Sequence, residues 1–384
     1  MASPAETAPD WRWALPRIAA LFVTTRLFLL GVAVAVEATQ AAPPAWLRWT
    51  DTPLLTSLTI YDSRYYLGIA VSGYHAAPVF GPYVDYVFFP LFPILARIGS
   101  ILTLGDVDIA GVLVANAAFG ASLVAIYGLG IRHMGRDPAM WSLVFIAVAP
   151  GAFAFGLAYS DGLFLLLAAT AFLAAETRRP VLTGLLVALA TLTRPPGVLL
   201  AIPLLVLVLR DPDMRARRAW AWLALGPLAL ALFSAHLASV TGDPLAWLHG
   251  QSLWTRPYVI ALGESGGSPT SGALSASASA ELLGLSYFAF AVWLGSILFH
   301  LFLFVYFRPD RMPATYWLVA AIPFAGLVAG SRITSSTRFL AVAWPFDWVL
   351  ARRRAAWVRL VLPTLFLVLQ GALAWLAFTW KIHP

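Results

Sequence analysis

Cysteine is absent from all 384 residues. That absence excludes a disulfide framework, a thiolate nucleophile and any thiolate metal site. Charge is scarce: Asp, Glu, Lys and Arg make up 11% of the chain, against about 25% in a soluble domain. Lysine is almost missing, since all but Lys381 of the 25 basic residues are arginine; the ratio matches the codon usage of a GC-rich bacterial genome. No Gly-x-Gly-x-x-Gly follows a strand pattern and no Walker A sequence occurs, so a nucleotide-binding domain is excluded. Neither His-Glu-x-x-His nor a histidine/carboxylate cluster at ligand spacing is present, so no catalytic metal and no cofactor are expected. Nothing in the pattern points to nucleic acid.

What is there is apolar. The chain is 60% hydrophobic, with a mean hydropathy of +0.81. This composition predicts an all-α polytopic integral membrane protein. Arginine clusters at Arg132/Arg136, Arg178/Arg179, Arg210/Arg215/Arg217/Arg218, Arg308/Arg311 and Arg352/Arg353/Arg354 are assigned to the cytoplasmic side by the positive-inside rule. Each pair of neighbouring clusters then encloses an even number of crossings, and the count is about eleven spans, soft by two. Hairpins turn at Ala158–Asp161, near Thr193–Gly197 and at Ser331–Arg338, and a last helix runs over about 357–379. The whole of 1–384 reads as one membrane domain. It has a flexible polar N-terminus over 1–16, a first outer loop with interfacial helices over 37–104 and a second outer loop over 239–283. Two points stay open: Ile18–Val36 reads as a retained helix or a signal peptide, and 88–104 as an interfacial segment or a span. Gly263–Ala280, rich in Gly, Ser and Ala, reads as a mobile linker or a lid.

The stretch Tyr61–Pro93 breaks the apolar background with Asp62, Arg64, His75, Asp85 and many aromatics. The topology puts it on the outer face, together with Asp161, Arg194, His249, Gln251, Arg256, Arg332 and Arg338. Charges at tight turns beside apolar helices are expensive and face a cavity or a partner. A carboxylate can take a proton from an attacking hydroxyl, and arginine's planar fork fits phosphate. Each residue also has a plainer explanation. Asp62 and Asp161 could only cap helices. Arg194, Arg332 and Arg338 could only snorkel or touch lipid headgroups. Trp46, Trp247, Trp254, Tyr83 and Tyr86 could form an interfacial belt rather than stack on sugar.

Four segments, in order, resemble the PIG-V type of mannosyltransferase, of the GT-C class of polyprenyl-phosphate-sugar glycosyltransferases. They are YDSRYYLGIAVSGY (61–74); FFPLFP (88–93); FAFGLAYSDGLFLLLA (153–168) with ALATLTRPPGVLL (188–200); and GDPLAWLHGQSLWTRP (242–257) with STRFLAVAWPF (336–346). Tyr61 stands where that family usually has Trp, Asp161 where it has Glu, and Thr337 where Pro is common.

The resemblance implies a GT-C-like fold and an inverting transfer of a hexose, mannose expected, from a polyprenyl-phosphate donor to a lipid or glycan acceptor. It implies Asp62 as catalytic base, with Arg64, Asp161, Arg194, Gln251, Arg332 and Arg338 binding substrate or phosphate. The expected setting is a bacterial inner membrane with the site on its outer face, among membrane lipids; oligomeric state stays open. A transporter or flippase of a lipid-linked or anionic solute is the rival reading, favoured by the same arginines and by broken helices. The lack of any internal repeat counts against it.

Overall fold

The computed structural model describes residues 9–40, 49–79, 83–254, 276–306, 312–330 and 335–382. Among them the architecture is all-helical. Five helices are long and apolar enough to cross a membrane: Trp11–Thr39, Val107–Met134, Ala219–Thr241, Tyr287–Tyr306 and Ala356–Phe378. The protein is an integral membrane protein.

Length and composition thus give five spans among the described residues, against about eleven expected. The other expected crossings are short helices: Arg136–Val148 with 13 residues, Asp161–Glu176 with 16, Pro180–Thr193 with 14, Ala201–Arg210 with 10 and Ala314–Gly330 with 17. At ~1.5 Å per residue, even the longest of these reaches only ~26 Å of a ~30 Å hydrocarbon core. Proline sets several of these limits. Pro150 follows the end of Arg136–Val148, and Pro195–Pro196 end Pro180–Thr193, because proline lacks the N–H and biases the residue before it away from helix. A single 3₁₀ turn, Ala152–Gly156, and another, Pro195–Leu200, carry the chain across the breaks. These are the two hairpin regions that the apolar pattern marks.

Other boundaries move. Helix begins at Trp11, so the polar N-terminal arm is shorter than 1–16; Asp10 accepts from the Trp13 N–H at 3.2 Å and caps the start. The 37–104 region contains helices Leu55–Leu58, Ser63–Ser72 and Leu91–Gly99. The last has nine residues, ~14 Å of helix, too short to cross. Residues 255–275 lie outside the described chain, and Ala276–Tyr306 is helical, so the expected second loop ends earlier than 283.

Packing centres on Val107–Met134 against Asp161–Glu176, with Pro180–Thr193 wedged between the latter and Leu225–Thr241. Small residues permit the closeness. A β-carbon at Gly162 would stand 3.0 Å from the Ala115 carbonyl oxygen, the small-residue contact typical of membrane helices. The helix Asp161–Glu176 therefore sits at the centre, with a buried acid, Asp161, at its start and a half-buried one, Glu176, at its end.

Candidate active site

Asp62 lies at the mouth of Ser63–Ser72 and does not cap it. Its backbone is already helical (φ −61°, ψ −25°), and its side chain makes no capping bond. The carboxylate accepts instead from Arg338 Nη1 at 2.7 Å, across 276 residues of sequence. Asp161, the first residue of its helix and 1% exposed, likewise makes no capping bond; it is ion-paired with Arg194 Nη1 and stands 3.7 Å from Arg338 Nε. The two capping explanations give way to a single network, Asp62–Arg338–Asp161–Arg194. Arg194 turns inward to a buried partner, its side chain 12% exposed, so it does not snorkel.

Four chain segments converge to build this network. The 3₁₀ turn Ala152–Gly156 lies flat on the segment that enters Ser336–Ala341, because a β-carbon at Gly151 would collide with the Thr337 carbonyl. The Ala158 N–H donates to the Leu58 carbonyl at 3.0 Å, tying the second segment to the turn before Asp62. In that turn Tyr61 has φ +46°, the left-handed region. Such a conformation costs a non-glycine residue roughly 1–2 kcal/mol. Tyr61 packs its ring on Trp380, with centroids 4.6 Å apart. Tyr159 holds the same turn from below: its hydroxyl donates to the Ile60 carbonyl at 3.2 Å and accepts a long bond from the Asp62 N–H at 3.4 Å. Its ring lies 4.9 Å from the Arg338 guanidinium carbon, a cation–π contact. Phe339 lies beside both arginines, at 5.2 Å from Arg194 and 5.0 Å from Arg338.

The network forms one end of a cavity of about 330 Å³. Asp62, Arg194, Arg338, Gln251 and Tyr66 line the polar end; Phe88, Phe89, Phe164, Val319, Ile322 and Trp344 are among the apolar walls. Trp247, an aromatic that the sequence leaves between belt and sugar platform, is on the wall too. Asp161 is not: it sits behind the two arginines. The network is neutral in sum, but its cations face the cavity while one of its anions is hidden. The cavity wall is therefore suited to an anion. Burial works against the charge of Arg338, yet Asp161 and Asp62 hold its pKa above the ordinary arginine value. Tyr66 shares a hydrogen bond with Ser160 at 2.7 Å, and burial pushes its phenol up to about 12, so it remains a neutral donor.

The structure brings together Asp62, Asp161, Arg194, Gln251 and Arg338. It does not bring Arg64 to the cavity. Two residues on from Asp62, a helical side chain points ~200° around the axis, and the Arg64 guanidinium lies 6.0 Å from the Trp380 ring instead. Arg332, Arg256 and Trp46 lie outside the described residues. His75 pairs with Asp85 at 2.8 Å and His249 with Asp243 at 2.7 Å, away from the cavity lining. Among the described residues no group of three or more His, Asp or Glu stands where it could hold a metal ion. Tyr66 and Tyr159 are the functional residues that sequence reasoning overlooks. Aromatics inside apolar runs read as core, and only their hydroxyl partners mark them out.

Comparison with known proteins finds one family profile matching part of this chain and several solved structures similar to it. The family profile of dolichyl-phosphate-mannose-protein mannosyltransferases matches residues 89–238, less than half of the chain. That segment carries Tyr159, Asp161 and Arg194; Asp62 and Arg338 fall outside it. Solved structures with a similar trace are those of the oligosaccharyltransferase of Archaeoglobus fulgidus. One carries a tethered acceptor peptide, with 12% identity and a TM-score of 0.49, covering 97% of this chain. Another, of AglB with an inhibitory peptide and a dolichol-phosphate, has 13% identity and a TM-score of 0.49, covering 95%. The apo form has 14% identity and a TM-score of 0.47, also covering 95%. This chain spans 56% of the length of each. No curated protein matches it.

Proposed function

We propose that the protein is an inverting glycosyltransferase that moves a hexose, mannose by its motif resemblance, from a polyprenyl-phosphate donor to a lipid or glycan hydroxyl. The observation that carries the reading is the cavity wall on which Asp62, Arg194 and Arg338 stand together, with Asp161 behind. Arg194 and Arg338 bind the donor phosphate. Asp62 takes the proton of the acceptor hydroxyl as its oxygen attacks the anomeric carbon from the face opposite the phosphate. The C–O bond to phosphate breaks, and its electron pair leaves on the phosphate oxygen, where the arginines stabilise the charge. Phosphate is a good leaving group, so no general acid is needed. Gln251, Tyr66 and Trp247 are placed to touch the sugar; Asp161 fixes the two arginines rather than meeting substrate. The positive-inside rule puts this end of the bundle outside, in a bacterial cell membrane by composition.

The test is product formation. Protein in liposomes is given radiolabelled polyprenyl-phosphate-mannose and a total lipid extract. The expected result is saturable release of free polyprenyl phosphate with label appearing in a new lipid or glycan. Counterflow of intact solute without a covalent product assigns the protein to transport and contradicts the proposal.

A further inference from the structure

We infer that Tyr159 is a positioning residue for this transfer, holding the base and one phosphate-binding arginine in register through separate parts of one side chain. The inference rests on the function proposed above and adds a residue outside the cavity lining. Three observations carry it. The Tyr159 side chain is 1% exposed and touches Asp62 only through the backbone, its oxygen accepting from the Asp62 N–H while its proton goes to the Ile60 carbonyl. Those two bonds bracket Tyr61, whose left-handed φ of +46° turns the chain so that Asp62 enters the cavity. The ring, at 4.9 Å, supports Arg338, which in turn grips the Asp62 carboxylate at 2.7 Å. Tyr159 lies two residues before Asp161, the other acid of the network, so the same short segment sets both arginine contacts.

A packing residue would need only the ring. A positioning residue needs the hydroxyl, because without it the strained turn keeps only its own backbone bonds, such as Ser63 N–H to the Ile60 carbonyl at 3.1 Å, and the Asp62 N–H loses its side-chain acceptor. If the turn relaxes, Asp62 drifts from Arg338. Reaction rate therefore reports the hydroxyl, while donor KM reports the ring.

The experiment compares Tyr159→Phe and Tyr159→Leu with the parent protein, in the same membrane assay. Tyr159→Phe keeps the ring and the contact with Arg338. It is expected to lower kcat by about 10- to 100-fold and leave the KM for polyprenyl-phosphate-mannose within about twofold. Tyr159→Leu is expected to lose kcat at least as far and to raise the donor KM, since Arg338 then loses its support. An unchanged kcat in a Tyr159→Phe protein, with only a lower Tm, overturns the inference. If phenylalanine does not fold, Tyr159→Met, which also lacks the hydroxyl, takes its place under the kcat criterion. The two levels fail differently. Wild-type turnover by Asp62→Asn sinks the base assignment. An inactive Asp62→Asn beside a fully active Tyr159→Phe sinks only the positioning role.

Discussion

Asp161 and Glu176 stand at opposite ends of the same sixteen-residue helix; Asp161 gathers two arginines, Glu176 an arginine, a histidine and a tyrosine. Glu176 is bound by Arg132 Nε at 3.0 Å, His133 Nε2 at 2.6 Å and the Tyr316 hydroxyl at 2.5 Å. It sits at the helix C-terminus, where the macrodipole disfavours an anion, so its donors offset an unfavourable position. Asp161 sits at the N-terminus, where the dipole already favours it, yet two arginines converge on it as well. One end thus spends its donors on its own acid. At the other, Arg194 and Arg338 line a cavity while the acid hides behind them. Similar residue types build a structural clasp at one end and an anion-binding wall at the other. What separates them is which partner faces empty space.

That contrast can be broken first at Asp161. Asp161→Asn leaves two buried arginines short of a carboxylate, a loss on the order of 3 kcal/mol. It should also cut kcat by about 10²-fold as the phosphate-binding guanidiniums lose their fixed geometry. Thermal melting in detergent and transfer kinetics read the two effects separately. At the opposite end, Glu176→Gln should cost about 1–3 kcal/mol of stability. Turnover at a permissive temperature should stay within about twofold of the parent. A Glu176→Gln protein that melts normally but transfers poorly would mean that the far network takes part in the chemistry and the comparison is mistaken. The smallest effect is expected for Arg64→Ala, whose side chain turns toward Trp380: donor KM and kcat should each remain within about threefold. A tenfold rise in KM would restore Arg64 to the phosphate site.

The sequence resolves some of this and misses the rest for identifiable reasons. Helical class and membrane location follow from composition alone, and the turns at Ala158–Asp161 and Thr193–Gly197 follow from small residues and proline. The expected count takes each apolar stretch between arginines as a crossing, whereas among the described residues five helices are long and apolar enough to cross. Breaks such as Pro150 and Pro195–Pro196 leave helices of 10 to 16 residues on their flanks. Asp62, Asp161, Arg194, Gln251 and Arg338 are legible as polar residues at turns, though their mutual pairing is not, since Asp62 and Arg338 are 276 residues apart. Arg64 misleads because closeness in sequence hides a turn of ~200° around the helix. Tyr159 falls inside the AYSD segment (158–161), but the segment does not reveal what its hydroxyl touches. Its role depends on a hydroxyl that reaches the backbone of residues 60 and 62.

The central claim is that Asp62 accepts the acceptor's proton on a wall where arginines hold the phosphate. Asp62→Asn keeps the shape of the side chain and removes the base, so it tests that claim most directly. With radiolabelled polyprenyl-phosphate-mannose, the folded variant should retain donor binding while its transfer rate falls by about 10²–10⁴-fold. Transfer at the parental rate by a folded Asp62→Asn protein would contradict the account.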